Sequence, residues 1–278
     1  MPNFRLLALD IDGTLVNSRH EMTDAVREAV LRAKQAGLQV ALATGRRYSR
    51  TLPLVEPLGL HLPLITASGA LIKDPVGHRT LFRAEFAPGV LEALLDRVAL
   101  AGYDAVLYTD SFAEGFDYYC RRHDVDEPLL AEFFRMNPDC ARLWPELMTR
   151  PPEGVFAGFA MGDRPQMLAL AADLERHLGD NLYVHVLRSP RYNGHMCEIA
   201  PHGVSKWSGI RQLAHQWGIA DEEICAVGDD VNDIPMILGA GLGVAMGNAL
   251  DEVKAAADRI APCHDSDGLV EVVNWLLE

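Results

Sequence analysis

The chain has 278 residues, with 25 lysines and arginines against 39 aspartates and glutamates and a formal net charge of −14 at pH 7. That sign of charge argues against nucleic acid and anionic membrane surfaces as partners. With 49% apolar and 23% charged residues, the composition is that of an ordinary globular protein with material for a sizeable core, and the length fits roughly two domains of about 150 residues.

The N-terminal run Phe4 to Leu9 is too short for a signal-peptide core and is interrupted at once by Asp10 and Asp12. No stretch approaches the ~20 apolar residues of a membrane helix. Five cysteines, Cys120, Cys140, Cys197, Cys225 and Cys263, are odd in number, far apart and without a CxxC pair, which predicts a reduced, cytoplasmic setting.

Arg5 to Leu9 reads as a strand, and Thr23 then stands at an N-cap position before Ala25, Val26, Ala29, Val30 and Ala33 at helical spacing, closed by Gly37. Leu38 to Ala43 and Leu62 to Thr66 are further strands. The alternation of strand, helix and strand predicts a parallel sheet with right-handed crossovers. The same texture returns near the C-terminus: helix Ser208 to Trp217, strand Ile224 to Val227, helix Asp233 to Leu238, strand Leu242 to Ala245 and helix Ala249 to Ala257.

Between the two blocks, residues 84–190 hold five of the seven tyrosines and seven of the nine phenylalanines, and they read as an inserted α+β unit. Its expected elements are helix Pro88 to Ala101, strands Ala105 to Tyr108 and Val155 to Met161, helix Pro165 to Leu178 and strand Leu182 to Val186. The first block alone offers too few strands for a covered sheet. Residues 1–83 and 191–278 are therefore expected to fold together as a doubly wound, Rossmann-like α/β core around the insertion.

Polar residues gather where the apolar runs end. Asp10, Asp12, Gly13 and Thr14 follow the first strand, Thr44, Gly45 and Arg46 the second, Thr66 to Gly69 the third, and Gly228, Asp229, Asp230, Asn232 and Asp233 the strand Ile224 to Val227. In a parallel sheet these ends share one edge, where open α/β folds place ligands. A lone Asp after a strand is usually a turn former or helix cap; four such ends call for more. Two carboxylates 4 Å apart repel by roughly 4 kcal/mol at an effective dielectric near 20, so a cluster of Asp10, Asp12, Asp229 and Asp233 needs a cation or must take up protons. Oxygen donors without His or Cys suit Mg²⁺, which takes few protein ligands together with a substrate phosphate. The Lys206 ammonium, the Thr44 hydroxyl and the backbone amides of the turns at Gly13 and Gly45 are candidates to hold phosphate oxygens.

Asp10-Ile11-Asp12-Gly13-Thr14-Leu15, Thr44-Gly45-Arg46, Glu198 to Lys206, Gly228-Asp229-Asp230-Val231-Asn232-Asp233 and Ala245-Met246-Gly247-Asn248-Ala249 resemble, in this order, the signatures of the haloacid dehalogenase superfamily and most nearly those of its Cof-type phosphatase branch. The resemblance runs from Leu6 to about Leu277. It implies a phosphomonoester hydrolase using Mg²⁺, in which the insertion is a type IIB-like cap that selects the substrate. It further implies Asp10 as nucleophile, Asp12 as general acid and base with its carbonyl on the metal, and Asp229 and Asp233 as further metal ligands. Thr44 and Lys206 would hold the transferring phosphoryl group, with Asn232 positioning Lys206 or a phosphate oxygen. The implied partner is a small phosphorylated metabolite, such as a sugar phosphate, pyridoxal phosphate or a cofactor intermediate.

Two positions depart from the pattern. Ser68 stands where family members commonly have Asn, leaving one hydroxyl for a phosphate or substrate contact, and Trp207 replaces a small residue after the lysine; it either narrows access or packs inward. Arg46 and Arg47 either steer phosphate or are surface charge. Tyr118-Tyr119 and Phe133-Phe134 either stack on a substrate or form cap core. Arg188, Arg191, Tyr192, Asn193 and His195 either recognise the leaving group or form a solvated hinge. No GxxxxGKS/T loop is present, and Gly239, Gly241 and Gly243 precede a strand instead of joining strand to helix, so nucleotide loops are excluded. A sugar phosphomutase and a non-catalytic phosphometabolite-binding protein use the same parts and remain alternatives; the oligomeric state is open.

Overall fold

A computed structural model of the chain describes residues 4–59, 63–188 and 193–278. Two compact units are present, Met1–Phe82 with Ser205–Glu278, and Arg83–Val204. In chain order the elements are β1 (Leu6–Leu9), α1 (Asp24–Gln35), β2 (Gln39–Ala43), α2 (Tyr48–Val55), β3 (Leu64–Thr66), β4 (Leu71–Lys73) and β5 (Thr80–Arg83). The second unit contributes α3 (Val90–Leu100), β6 (Val106–Thr109), β7 (Tyr118–Cys120), α4 (Pro128–Met136), β8 (Ala141–Leu143), β9 (Val155–Gly162), α5 (Arg164–Leu178), β10 (Leu182–Arg188) and β11 (His195–Pro201). The chain then returns through α6 (Lys206–Gln216), β12 (Ile224–Gly228), α7 (Ile234–Gly239), β13 (Leu242–Ala245), α8 (Asp251–Ala256), β14 (Arg259–Ile260) and α9 (Gly268–Leu277).

The first unit is a doubly wound α/β fold. Its sheet runs β14-β13-β12-β1-β2-β3-β4-β5, parallel from β14 to β3 and antiparallel between β3 and β4. Every residue of β1 and β12 is buried, as expected of central strands covered on both faces. The α1 helix begins where predicted: the Thr23 hydroxyl accepts the Val26 N–H at 3.2 Å, and Val26, Ala29, Val30 and Ala33 face inward. From β1 the chain winds outward through β2 and β3, then re-enters on the opposite side of β1 as β12, β13 and β14. The strand order therefore reverses between β1 and β12, the crevice where such sheets bind ligands. Leu9 lies level with Val227, and the Asp10 N–H donates to the Val227 carbonyl at 3.0 Å, so the turns after both strands begin at one height.

The second unit is an α+β sandwich with sheet order β10-β11-β9-β6-β7-β8, antiparallel except for β7 with β8. One apolar cluster joins Leu94, Leu95 and Val98 of α3 and Met167, Leu170 and Leu174 of α5 to the sheet. Aromatic rings pack elsewhere: Phe133 lies 5.4 Å from Tyr118 and 5.0 Å from Phe159, centroid to centroid, and all three are buried. The paired aromatics Tyr118 and Phe133-Phe134 are thus core, and Tyr119 packs edge-on against Phe116 and Trp144.

One boundary differs from the expectation. The return to the first unit comes at Val204/Ser205, not at residue 191, because β11 pairs antiparallel with both β10 and β9 and buries Cys197 and Ile199 in the second unit's cluster. His195 therefore opens a strand of the inserted unit, while Arg191 and Tyr192 lie outside the described residues. Among the described residues, no helix is long and apolar enough to cross a membrane.

Candidate active site

Four segments of the first unit bring charged side chains together. Lys206 is the first residue of α6, a helix start fixed by reciprocal bonds: the Ser205 hydroxyl accepts the Ser208 N–H at 3.1 Å, and the Ser208 hydroxyl accepts the Ser205 N–H at 2.9 Å. Its ammonium donates to Asp10 Oδ1 and to Asp233 Oδ1, both at 2.7 Å, and Lys206, Asp10 and Asp233 are all buried. The second Asp233 oxygen accepts the backbone N–H groups of Asp229 at 2.9 Å and Asp230 at 3.1 Å. Asp233 thereby ties the turn after β12 to the lysine. Oxygens of Asp10, Asp229 and Asp233 all lie within 4.8 Å of one another.

One ammonium does not balance three carboxylates. Burial pushes the Asp10 pKa well above the ordinary carboxylate value, opposed by Lys206 but aided by Asp233, Asp229 and Asp12. Asp229 is pushed up to about 7 by burial and the nearby Asp233 charge. For Lys206 burial disfavours the charge, but Asp10 and Asp233 outweigh it and raise the pKa. A divalent cation fits this deficit: the donors are hard oxygens only, and Asp229 Oδ1 is buried with no hydrogen-bond partner. Asp10, Asp229 and Asp233 are the residues that could hold such an ion.

Asp12 faces different company. Its carboxylate forms a two-point pair with the Arg46 guanidinium, Nε to Oδ2 at 2.6 Å and Nη2 to Oδ1, and His20 Nδ1 lies 3.5 Å from Oδ1. Burial pushes its pKa up, yet the Arg46 hydrogen bond and charge prevail and hold it below the ordinary value. Two carboxylates two residues apart thus have opposed tendencies. Arg46 is engaged with Asp12, so any phosphate contact by Arg46 requires that pair to open.

The other expected residues surround this group. Gly45 lies in the turn after β2 beside Thr44, which is buried; its hydroxyl accepts the Arg46 N–H at 3.1 Å and its carbonyl accepts the Ser68 N–H at 3.0 Å. Ala67, Ser68 and Gly69 all have positive φ, 47°, 53° and 102°, an unusual left-handed run at the end of β3. A side chain at Gly69 would stand 2.0 Å from the Ser205 carbonyl oxygen, so this turn lies directly against the helix start that carries Lys206. Gly13 (φ 76°) gives clearance to a neighbour: a Cβ there would lie 2.1 Å from Asp229 Oδ2. Asn232 is buried with Oδ1 unpartnered. Trp207 packs inward on the core cluster and covers Gly239, where a Cβ would fall 2.3 Å from its ring; that glycine is needed for packing. His195 belongs to the second unit.

Sequence reasoning missed Asn248 as a site residue. Its amide nitrogen donates to the Gly13 carbonyl at 2.8 Å and to Asp229 Oδ2 at 3.1 Å. The signal was its place in the Met246-Gly247-Asn248-Ala249 stretch after β13. A second close group, Cys263, His264 and Asp265, is occupied differently: both Asp265 oxygens accept from Ser18, and His264 Nε2 lies 3.0 Å from the Ser18 hydroxyl.

A profile of haloacid dehalogenase-like hydrolases matches residues 7–273. The chain is 30% identical to the phosphatase YwpJ of Bacillus subtilis (strain 168), with 98% of this chain and all of that protein covered. It is 28% identical to the 5-amino-6-(5-phospho-D-ribitylamino)uracil phosphatase YwtE of the same organism, with 98% of each covered. Among solved structures, a haloacid dehalogenase-like hydrolase from B. subtilis superposes with a TM-score of 0.78 at 27% identity over 97% of this chain and 99% of that one. With the profile spanning nearly the whole chain and the signature residues converging on one sheet edge, this protein belongs to the haloacid dehalogenase-like hydrolase family.

Proposed function

We propose that the protein is a Mg²⁺-dependent phosphatase that hydrolyses the phosphomonoester of a small metabolite through an aspartyl-phosphate intermediate. The observation that carries this reading is the gathering of three carboxylates, Asp10 and Asp233 buried on the Lys206 ammonium and the part-buried Asp229 beside them. The names of the relatives YwpJ and YwtE support the reaction class. The inserted unit, residues 83–204, is read as the cap that selects the leaving group, and five free cysteines suit a reducing cytoplasm.

Bound among Asp10, Asp229 and Asp233, Mg²⁺ would neutralise carboxylate charge and let an anionic nucleophile meet an anionic ester. An Asp10 oxygen attacks phosphorus and forms the acyl–phosphate bond as the bond from phosphorus to the ester oxygen breaks. Asp12 delivers a proton to the departing oxygen; the same carboxylate, ionised again, takes a proton from the water that attacks the acyl phosphate, releasing inorganic phosphate and restoring Asp10. Its pair with Arg46 favours the ionised, base form, and the acid half of the cycle needs that pair to loosen. Lys206 and Thr44 bind the transferring group and offset its charge.

The test is inorganic phosphate release from a panel of small phosphate esters with Mg²⁺, with EDTA as control and Asp10→Asn alongside wild type. Release that needs Mg²⁺ and disappears in Asp10→Asn is expected. Isomeric sugar phosphate without inorganic phosphate would indicate a mutase, and wild-type hydrolysis by Asp10→Asn would remove the covalent mechanism.

A further inference from the structure

We infer that Asn248 is a positioning residue for the divalent-cation site: it turns the Asp229 carboxylate so that one oxygen is spent on the protein and the other is kept for the ion. The inference rests on the cation site proposed above. Three hydrogen bonds surround the Asn248 amide. Its Oδ1 accepts the backbone N–H of His264 at 3.0 Å, while its Nδ2 donates to the Gly13 carbonyl at 2.8 Å and to Asp229 Oδ2 at 3.1 Å. A backbone N–H can only donate, and a carbonyl or carboxylate oxygen can only accept, so the amide has one chemically sensible orientation. Flipped, it would set oxygen against oxygen on one side and hydrogen against hydrogen on the other.

This clamp joins the turn after β1, the turn after β12 and the segment before α9, which are far apart in sequence and meet at the sheet's switch point. Each contact is itself braced. The Leu250 N–H donates to the Asp229 carbonyl at 3.2 Å. The segment bearing His264 is tied back to the nucleophile loop, since the Ser18 N–H and hydroxyl donate to Asp265 at 2.8 and 2.7 Å. Gly13 completes the fit, because any side chain there would occupy the place of Asp229 Oδ2. With Oδ2 held by Asn248, the buried and unpartnered Oδ1 is the oxygen left for a cation. Loss of the clamp leaves the ligand present but free to rotate, and loss of such outer support typically costs ~10- to 100-fold in metal affinity.

The experiment is calorimetric titration of Mg²⁺ into metal-free wild type, Asn248→Ala and Asp229→Asn, with circular dichroism and thermal midpoints of the metal-free proteins. It is paired with phosphate-release assays that separate the Mg²⁺ activation constant from substrate KM. Asn248→Ala is expected to bind Mg²⁺ about 10- to 100-fold more weakly and to raise the activation constant by the same factor, while KM at saturating Mg²⁺ and the metal-free fold stay close to wild type. A merely structural role would lower the thermal midpoint and leave the affinity of the folded fraction unchanged; that result would overturn the inference. If Asn248→Ala does not fold, Asn248→Ser, too short to bridge both partners, gives the same readout. Should Asp229→Asn bind as tightly as wild type, the cation-site reading itself fails; should Asp229→Asn lose binding while Asn248→Ala keeps it, only the role of Asn248 is refuted.

Discussion

Among the described residues, the first unit buries Asp10, Arg47, Lys73, Lys206 and Asp233, whereas the second buries polar side chains only as Thr109, Ser111 and Asn137 and no charged group at all. Burying charged groups costs desolvation free energy even where they are paired, so a unit that does so has a reason beyond stability. The second unit does what a small domain does when only its fold is at stake: it packs the rings of Tyr118, Phe133 and Phe159 tilted and edge-on and leaves its ion pairs, such as Arg97 with Asp173, part exposed. The contrast marks the first unit as the one whose buried charges call for a reason beyond packing.

Lys206→Met gives the largest effect. Removing the ammonium between Asp10 and Asp233 leaves buried charges uncompensated, at a cost of about 3–5 kcal/mol near neutral pH, and on the proposed mechanism it also takes away a group that would bind the phosphoryl. Urea unfolding and phosphate release should both fall sharply; retained activity would break the contrast. Phe133→Ala should cost a similar ~3–5 kcal/mol through the cavity it leaves, yet p-nitrophenyl phosphate hydrolysis by the folded fraction should change far less than with Lys206→Met. Equal loss of activity in the two variants would contradict the division of labour.

A smaller effect links metal to pH. Asp229, raised to about 7 against an ordinary value of 3.8, contributes stability in its protonated form that is present below the unfolded value and is lost as pH rises through about 7; Asp10 shifts in the same direction. A cation held there would need the ionised carboxylates, so its binding would release protons and strengthen with pH. The rise in thermal midpoint on adding Mg²⁺ should therefore be larger near pH 8 than near pH 5.5, and a gain independent of pH would contradict the placement of the ion among these groups. The smallest effect concerns Ser68, whose φ of 53° is left-handed. Asn tolerates that region better than Ser, so Ser68→Asn should stabilise by under ~1 kcal/mol, read from the denaturation midpoint.

The ends of β1, β2, β3 and β12 were legible because a fully apolar run followed at once by Asp, Thr or Gly leaves little choice of strand boundary. Lys206 was legible as a candidate cation for phosphate, but its pairing with Asp10 and Asp233 was not, since a lysine opening a helix is ordinary until its partners are known. Asn248 and the Arg46–Asp12 pair depend on how four loops fold against one another, and no periodicity carries that. The inserted unit was harder: β7 and β8 have three residues each, too few to display alternation, and β11 declares its allegiance only by pairing with β9 and β10. The same brevity hid β4 in the first unit.

The most direct measurement mixes the Asp12→Asn variant, slowed in the second step, with p-nitrophenyl [³²P]phosphate and Mg²⁺, quenches in acid and maps the labelled peptide. Label bound covalently to the peptide that contains Asp10, and absent with EDTA, is the predicted result. Nitrophenol and inorganic phosphate released together with no protein-bound label at any time would contradict the account.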